Sequence, residues 1–308
     1  MLAIMRRGFR RFGQSDLWLE FKASKGVMLA AACLVLLVAS SIAAPLFAPQ
    51  DPADLANVSL LDGGLPPAWQ DGGDPHYIIG TDQQGRDVFS SILYGLRLSI
   101  TVGVLSVALA LAIGVTLGIV AGFVGGIFDA VIMRLADVML TFPAILVALL
   151  INGAIRSVFP DLRSGLLALA VVILSIALTG WVQYARAIRS LTLIELRKEY
   201  VEAAKAIGQK PAFIAVFHIL PNTFTSISVL ATLNFAMAML TEATLSFLGA
   251  GVPPTQPSIG TLIRVGNEYM FSGQWWVVLF PSIALALLVL STNVFGEWLR
   301  DTLNPRLH

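Results

Sequence analysis

The sequence predicts an all-α membrane protein built on six transmembrane helices. Three observations carry that expectation. Charged residues make up only 13% of the 308, against about 25% in soluble domains. Hydrophobic residues reach 56%, and mean hydropathy is +0.80. Six stretches approach the ~20 apolar residues needed to cross ~30 Å of hydrocarbon. Between the fourth and fifth lies a charged, helix-forming island, Glu199 to Asn222.

Residues 1–26 form a basic lead. From Arg10 to Lys25, basic residues alternate with Leu17, Trp18, Leu19 and Phe21. Ser15 is placed to cap a short helix lying on the inner surface; the alternative is a basic tail that serves only topology. The first span is Val27–Phe47, whose apolar core and basic lead are both too long for a cleaved signal peptide. The single cysteine, Cys33, lies within it, so no intrachain disulfide is possible.

Residues 27–97 comprise that span and one outward loop. From Ala48 the loop carries seven aspartates among prolines and glycines, and its first half reads as irregular. It is too short and turn-rich to build an enzyme core of its own. The main membrane domain occupies 98–300, followed by a tail at 301–308.

The second span, Leu98–Ala121, has Ser106, Ala110, Gly114, Gly118, Gly122 and Gly126 at four-residue intervals. Such a ridge lets helix backbones approach closely, a main driver of association in lipid. It implies a place deep in a bundle or at a subunit seam, or else a hinge softened by glycine. The third span, Val138–Ile151, is short unless it extends back through Val131 to Leu135, carrying Arg134 and Asp137 into the headgroup zone. The fourth is Leu166–Tyr184.

The island belongs to a coupling loop at 186–222. Its small residues Ala203, Ala204 and Ala206 would admit a partner's surface close to the backbone. Gly208 supplies a helix stop, Pro211 suits the first turn of a second short helix, and Pro221 is expected to redirect the chain before lipid resumes. The expected shape is a two-helix handle.

The fifth span, Ile227–Leu248, holds Glu242, the lone acid predicted within a span. An ionisable group in lipid marks a pathway or a partnered polar site. Glu242 lies towards the outer end, where water or a neighbouring helix can satisfy it. The sixth span, Val277–Trp298, is flanked by Trp275, Trp276 and Trp298, as interfacial tryptophans would be. From Trp276 to Trp298 a helix rises about 33 Å, close to one hydrocarbon thickness.

Orientation follows from Lys and Arg. With the N-terminus inside, fifteen of the 20 fall in the cytoplasm, and only Arg86, Arg97, Arg156, Arg163 and Arg264 face outward. The island and both termini are then cytoplasmic.

Several chemistries lack their residues. No Gly-Lys dipeptide exists, so there is no phosphate loop. His76, His218 and His308 have no His or Cys partners at metal spacing, and neither HExxH nor a GxSxG elbow occurs. The net charge of +1 gives no sign of a nucleic-acid partner.

Glu202-Ala203-Ala204, then Gly208, then Leu220-Pro221 resembles the EAA loop of permease subunits of ATP-binding cassette importers. The family pattern places an isoleucine where His218 stands; here the isoleucine is Ile219. Gly80-Thr81-Asp82 followed by Gly85-Arg86-Asp87 resembles the GTDxxGRD signature of dipeptide and oligopeptide permeases. Asp129, Met133, Arg134, Asp137, Phe142 and Pro143, and then Glu242 with Ser246 to Gly249, are similar to two further segments of that group. With one span before a long outward loop, the chain resembles the C-type subunit from about Val27 to Arg306.

The resemblance implies the type I importer permease fold and a heterodimer with a homologous second permease. It also implies two cytoplasmic ATPases, an extracytoplasmic substrate-binding protein and a bacterial inner membrane. The chain itself would hold no cofactor, ATP being bound by the partner subunits. Glu202 would make a charge-assisted contact with an ATPase, with Ala203, Ala204 and Gly208 present for fit. Arg86 would bridge Asp82 and Asp87 or pair with a partner chain. The rival readings are an ion-driven secondary transporter, which should show paired acids or broken helices in both halves, and a non-transporting scaffold.

Overall fold

The computed structural model describes residues 21–52, 54, 58–159, 165–252 and 256–302. The basic lead with Ser15, Arg163 and most of the tail lie outside the described residues. The chain folds as α1 (Lys25–Ile42), α2 (Val88–Val124), α3 (Gly126–Thr141), α4 (Ala144–Val158), α5 (Gly165–Glu195), α6 (Glu199–Ala206), α7 (Leu220–Phe247), α8 (Ile259–Tyr269) and α9 (Trp276–Thr302). Five of these are long and apolar enough to cross a membrane; the count rises to six if α3 and α4 together make one span.

That pair corrects the expectation of a single third helix. α3 and α4 meet at a 100° bend. Pro143 has no N–H to continue the helix and pushes the preceding residue towards extended backbone; Phe142 sits at φ −105°, ψ 145°. The apolar run is continuous in sequence, but the helix is not.

α2 and α5 form the central pair. A Cβ at Gly114 would come within 2.6 Å of the Trp181 carbonyl, one at Gly118 within 2.6 Å of the Ala185 carbonyl, and one at Gly122 within 3.0 Å of the Arg189 carbonyl. The small-residue ridge therefore brings α2 backbone-close to α5 of the same chain. Towards the C-terminal end of α5, Arg189 holds Asp129 through both carboxylate oxygens, and Arg186 pairs with Asp137. Those ion pairs fasten α3 to α5.

The short amphipathic helix α8 has no counterpart in the sequence expectation. Ser258 and Thr261 cap it reciprocally. Its glycines let it nest: a Cβ at Gly260 would meet the Ala243 carbonyl of α7 at 2.5 Å, and one at Gly266 the Val277 backbone of α9. Around it, Leu96, Met239, Ile259, Trp276 and Leu288 form the outer core. Trp276 is therefore buried within the protein, and its indole N–H donates to the Thr81 carbonyl at 3.0 Å.

Candidate functional site: the handle and its connections

α6 begins the handle. Glu199 and Glu202 occupy its first turn, where the exposed N–H groups favour negative charge. Gly208 ends it in the left-handed region (φ +79°). The Gly208 N–H donates to the Lys205 carbonyl at 3.0 Å and the Gln209 N–H to the Ala204 carbonyl at 3.1 Å, the pair of bonds that closes a helix at glycine. An added Cβ at Gly208 would meet nothing within 4 Å, so the position requires conformation, not space.

The second half departs from the expected shape. Pro211 does open a helical turn, Pro211–Phe213, but this runs without a break through a π-helical segment, Ile214–Ile219, into α7. The Leu220 N–H reaches back five residues to the Ala215 carbonyl. This widened turn lies just ahead of Pro221 and accommodates its missing donor. Pro221 does not redirect the chain. The handle is one short helix packed on the extended N-terminal end of α7.

Its core is Val201, Ala204, Ile214 and Ile219, with Phe123 of α2, Leu196 and Tyr200 packed against them. Ile219 is fully buried, while the neighbouring His218 donates through Nε2–H to Gln209 Oε1 at 2.8 Å. Ala204 faces inward, which corrects the expectation that it meets a partner. Glu202, Ala203, Lys205, Ala206 and Ile207 are exposed. Ile207 is 74% exposed and Phe217 62%, the latter stacked on Phe213.

Four polar side chains hold the handle to the membrane helices. At the end of α5, Glu195 accepts from Lys198 Nζ at 2.7 Å and from the Tyr200 hydroxyl at 2.6 Å. Asn222 of α7 donates to the Tyr200 hydroxyl at 3.1 Å and to the His218 carbonyl at 2.8 Å. Burial, and then the hydrogen bond to Glu195, push the Tyr200 phenol above its ordinary value, so the hydroxyl stays protonated and can donate. α6 thus touches α5, α7 and α2 at once.

At the other end, the GTDQQGRD turn is folded back on the loop before it. The Thr81 hydroxyl donates to the Asp62 carbonyl and accepts from Leu65 N at 2.9 Å. Asp82 Oδ1 accepts from the Gln84 and Arg86 N–H groups at 2.8 and 2.9 Å. Asp87 caps α2 through the Ser90 N–H at 2.8 Å. Gly80 and Gly85 have φ of +85° and +78° against the Leu65 and Ser59 carbonyls. Arg86 is tied to Asp82 through its backbone rather than by bridging two carboxylates, and its Nε is enclosed without a hydrogen-bond partner among the described residues. Burial raises the Asp82 pKa, against the lowering effect of its two N–H partners.

Glu242 is fully buried where α7, α2 and α8 meet. Ser99 Oγ donates to Oε2 at 2.8 Å and Ser246 Oγ to Oε1 at 2.7 Å. Ser99 Oγ also accepts the Ile259 N–H at the start of α8, at 3.2 Å. Among the described residues no group of three or more His, Cys, Asp or Glu could hold a metal.

The architecture is that of a polytopic membrane component, with a short helix braced on the ends of three long helices. Residues 114–308 match the family of binding-protein-dependent transport system inner membrane components, and residues 14–67 match the N-terminal transmembrane domain of oligopeptide transport permease C. The chain belongs to this family of multi-pass transport components. The dipeptide transport system permease protein DppC of Escherichia coli (strain K12) is 40% identical over 292 residues, covering 95% of this chain and 93% of that protein. The Haemophilus influenzae protein of the same description is 35% identical, covering 95% and 94%. A di/tripeptide transport system permease of Pseudomonas aeruginosa is 36% identical, covering 95% and 92%. Among solved structures, a chain of the inward-facing MetNI methionine ABC transporter superposes with TM-score 0.51 at 20% identity, over 70% of this chain and 96% of that one. That likeness shows a shared fold.

Proposed function

We propose that this chain is one permease subunit of an importer for dipeptides or oligopeptides, forming half of the translocation pathway. It pairs with a homologous permease. Two cytoplasmic ATPases drive it and an extracytoplasmic binding protein loads it. The chain has no ATPase site of its own and holds no cofactor; ATP belongs to the partner subunits. It sits in a bacterial inner membrane with both termini cytoplasmic. The 40% identity to a dipeptide permease across 95% of the chain carries this reading, and the exposed face of α6 supports the coupling role.

The mechanism follows from the connections of α6. ATP binding draws the ATPases together and displaces the handle seated on them. Glu202 engages an ATPase arginine or lysine, while Ala203, Ala206 and Ile207 lie against its surface. Val201, Ala204 and the Glu195–Tyr200–Asn222 bonds pass the motion to α5 and α7, and Phe123 passes it to α2. α2 and α5 move as one body because their backbones interlock at Gly114, Gly118 and Gly122. α3 follows through Asp129 and Asp137. The membrane helices then exchange inward-open and outward-open arrangements, a two-state change biased by nucleotide and by the loaded binding protein.

Glu202→Arg tests this. The side chain is exposed, so insertion and folding should be unchanged, while co-purification of the ATPases and peptide uptake are lost. Unchanged uptake would remove Glu202 from the coupling role. Recovery of a lone chain that transports under an ion gradient would overturn the whole reading.

A further inference from the structure

Near the middle of α2 and α7, these helices, α5 and Ala144 of α4 line an open cleft of about 90 Å³. Six uncharged residues with polar side-chain atoms line it: Ser106 of α2, Thr179, Gln183 and Tyr184 of α5, and Asn234 and Thr241 of α7. Ser106 is the middle residue of α2, about 27 Å from either end at 1.5 Å per residue. Asn234 is likewise at the middle of α7. Gln183 is exposed on the outside of this chain, and Thr179, Asn234 and Thr241 are half-buried. Ser106 Oγ is enclosed with no hydrogen-bond partner among the described residues, while the Asn234 amide lies against the Tyr184 hydroxyl.

Lipid does not tolerate this arrangement. Polar groups at that depth face a water-filled space or another protein surface. Thr179 and Thr241 satisfy their hydroxyls on carbonyls of their own helices, but an exposed amide at Gln183 has four hydrogen-bonding positions to fill. No charged residue lines the cleft. Amides and hydroxyls offer donors and acceptors to a peptide backbone without selecting the charge of its side chains.

We infer that Ser106, Thr179, Gln183, Asn234 and Thr241 are this chain's contribution to a hydrated pathway, where they pass peptides along by hydrogen bonds to backbone amides. The inference deepens the proposed function and rests on it. It also accounts for neutrality here: a fixed charge would retain peptides of one sign and reject the other.

The decisive variant is Gln183→Glu in the assembled complex, assayed by uptake of dipeptides that differ only in side-chain charge. The expected result is a fall of about tenfold for an acidic dipeptide relative to a basic one, a difference of the size one tenfold step in affinity represents. Gln183→Leu should slow both equally. In a Cys33→Ser chain, Gln183→Cys and Thr241→Cys should react with a membrane-impermeant thiol reagent at least about tenfold faster than the membrane-facing Leu290→Cys. A complex that imports peptides normally, shows no charge discrimination in Gln183→Glu and labels both cysteines at the Leu290→Cys rate would overturn the pathway assignment while leaving the transport reading intact. Absence of peptide uptake by the unmodified complex would instead overturn the transport reading.

Discussion

Glu242 shows how a carboxyl group is housed in the membrane. It meets hydroxyls from α2 and from its own helix, and is linked through Ser99 to the first N–H of α8. Removing it leaves two buried hydroxyls without an acceptor, and an unpaired buried group costs about 1–3 kcal/mol. Glu242→Ala should therefore lower the detergent-solubilised chain's stability by roughly 2–4 kcal/mol, whereas Glu242→Gln, which keeps the size and one of the two acceptor oxygens, should cost less. Equal losses in a thermal unfolding assay would mean that charge rather than hydrogen bonding is what the site requires. Asp82 gives a pH prediction. Its pKa is raised by burial, so the folded chain holds that proton more tightly than the unfolded one. The resulting stability is fully present below the unfolded carboxylate value and is lost as pH rises through the folded one. Asp82→Asn keeps an oxygen for the Gln84 and Arg86 N–H groups and should flatten that part of the stability profile between acid and neutral pH; an unchanged slope would remove Asp82 as its source. Glu242 was visible in the sequence as a lone charge in an apolar run, but its distant partner was not: Ser99 of α2 lies 143 residues before it.

Helices were legible where apolar length alone decides them and illegible where contacts do. Five of the predicted spans correspond to single long helices. The third does not, because hydropathy averages across Phe142-Pro143 and does not register the broken hydrogen-bond ladder. α8 was missed because its eleven residues are too few and too amphipathic for a membrane window; the Ser258–Thr261 cap was the available signal. In the handle, Val201 and Ala204 have the i, i+3 spacing of one helix face, which points Ala204 inward, but a run of small residues conceals facing. The α2–α5 pair carries the prediction at this scale. A leucine at Gly118 cannot fit beside the Ala185 carbonyl and Ile188; overpacking costs typically ~1–3 kcal/mol even where neighbours give way. Gly118→Leu should force the two backbones apart and reduce recovery of the assembled complex at least severalfold in detergent, whereas Gly153→Ala on α4, with nothing within 4 Å of its added Cβ, should not. Normal assembly of Gly118→Leu would mean the interlock is dispensable. The Asp129–Arg189 and Asp137–Arg186 pairs are part-exposed and worth only ~0.2–1 kcal/mol each in stability, so their contribution is to alignment of α3 with α5.

As a whole, the molecule is built on the close-packed pair α2 and α5 with a fastening at each end. At one end, the Thr81–Asp87 turn locks the start of α2 to the preceding loop and to Trp276 of α9. At the other, α6 sits across the ends of α2, α5 and α7. A displacement of α6 therefore reaches the Thr81–Asp87 clasp through α2, a single helix of 37 residues, about 55 Å long. The central claim is that the outward-facing side of α6 lies in the cytoplasm and is covered by an ATPase. Glu202→Cys in a Cys33→Ser chain measures this directly, through reaction with a membrane-impermeant maleimide applied from each side, with and without the ATPase subunits. Reaction is expected from the cytoplasmic side only, with shielding when the ATPases are bound. Reaction from outside intact cells, or equal reactivity in the presence and absence of the ATPases, would contradict it.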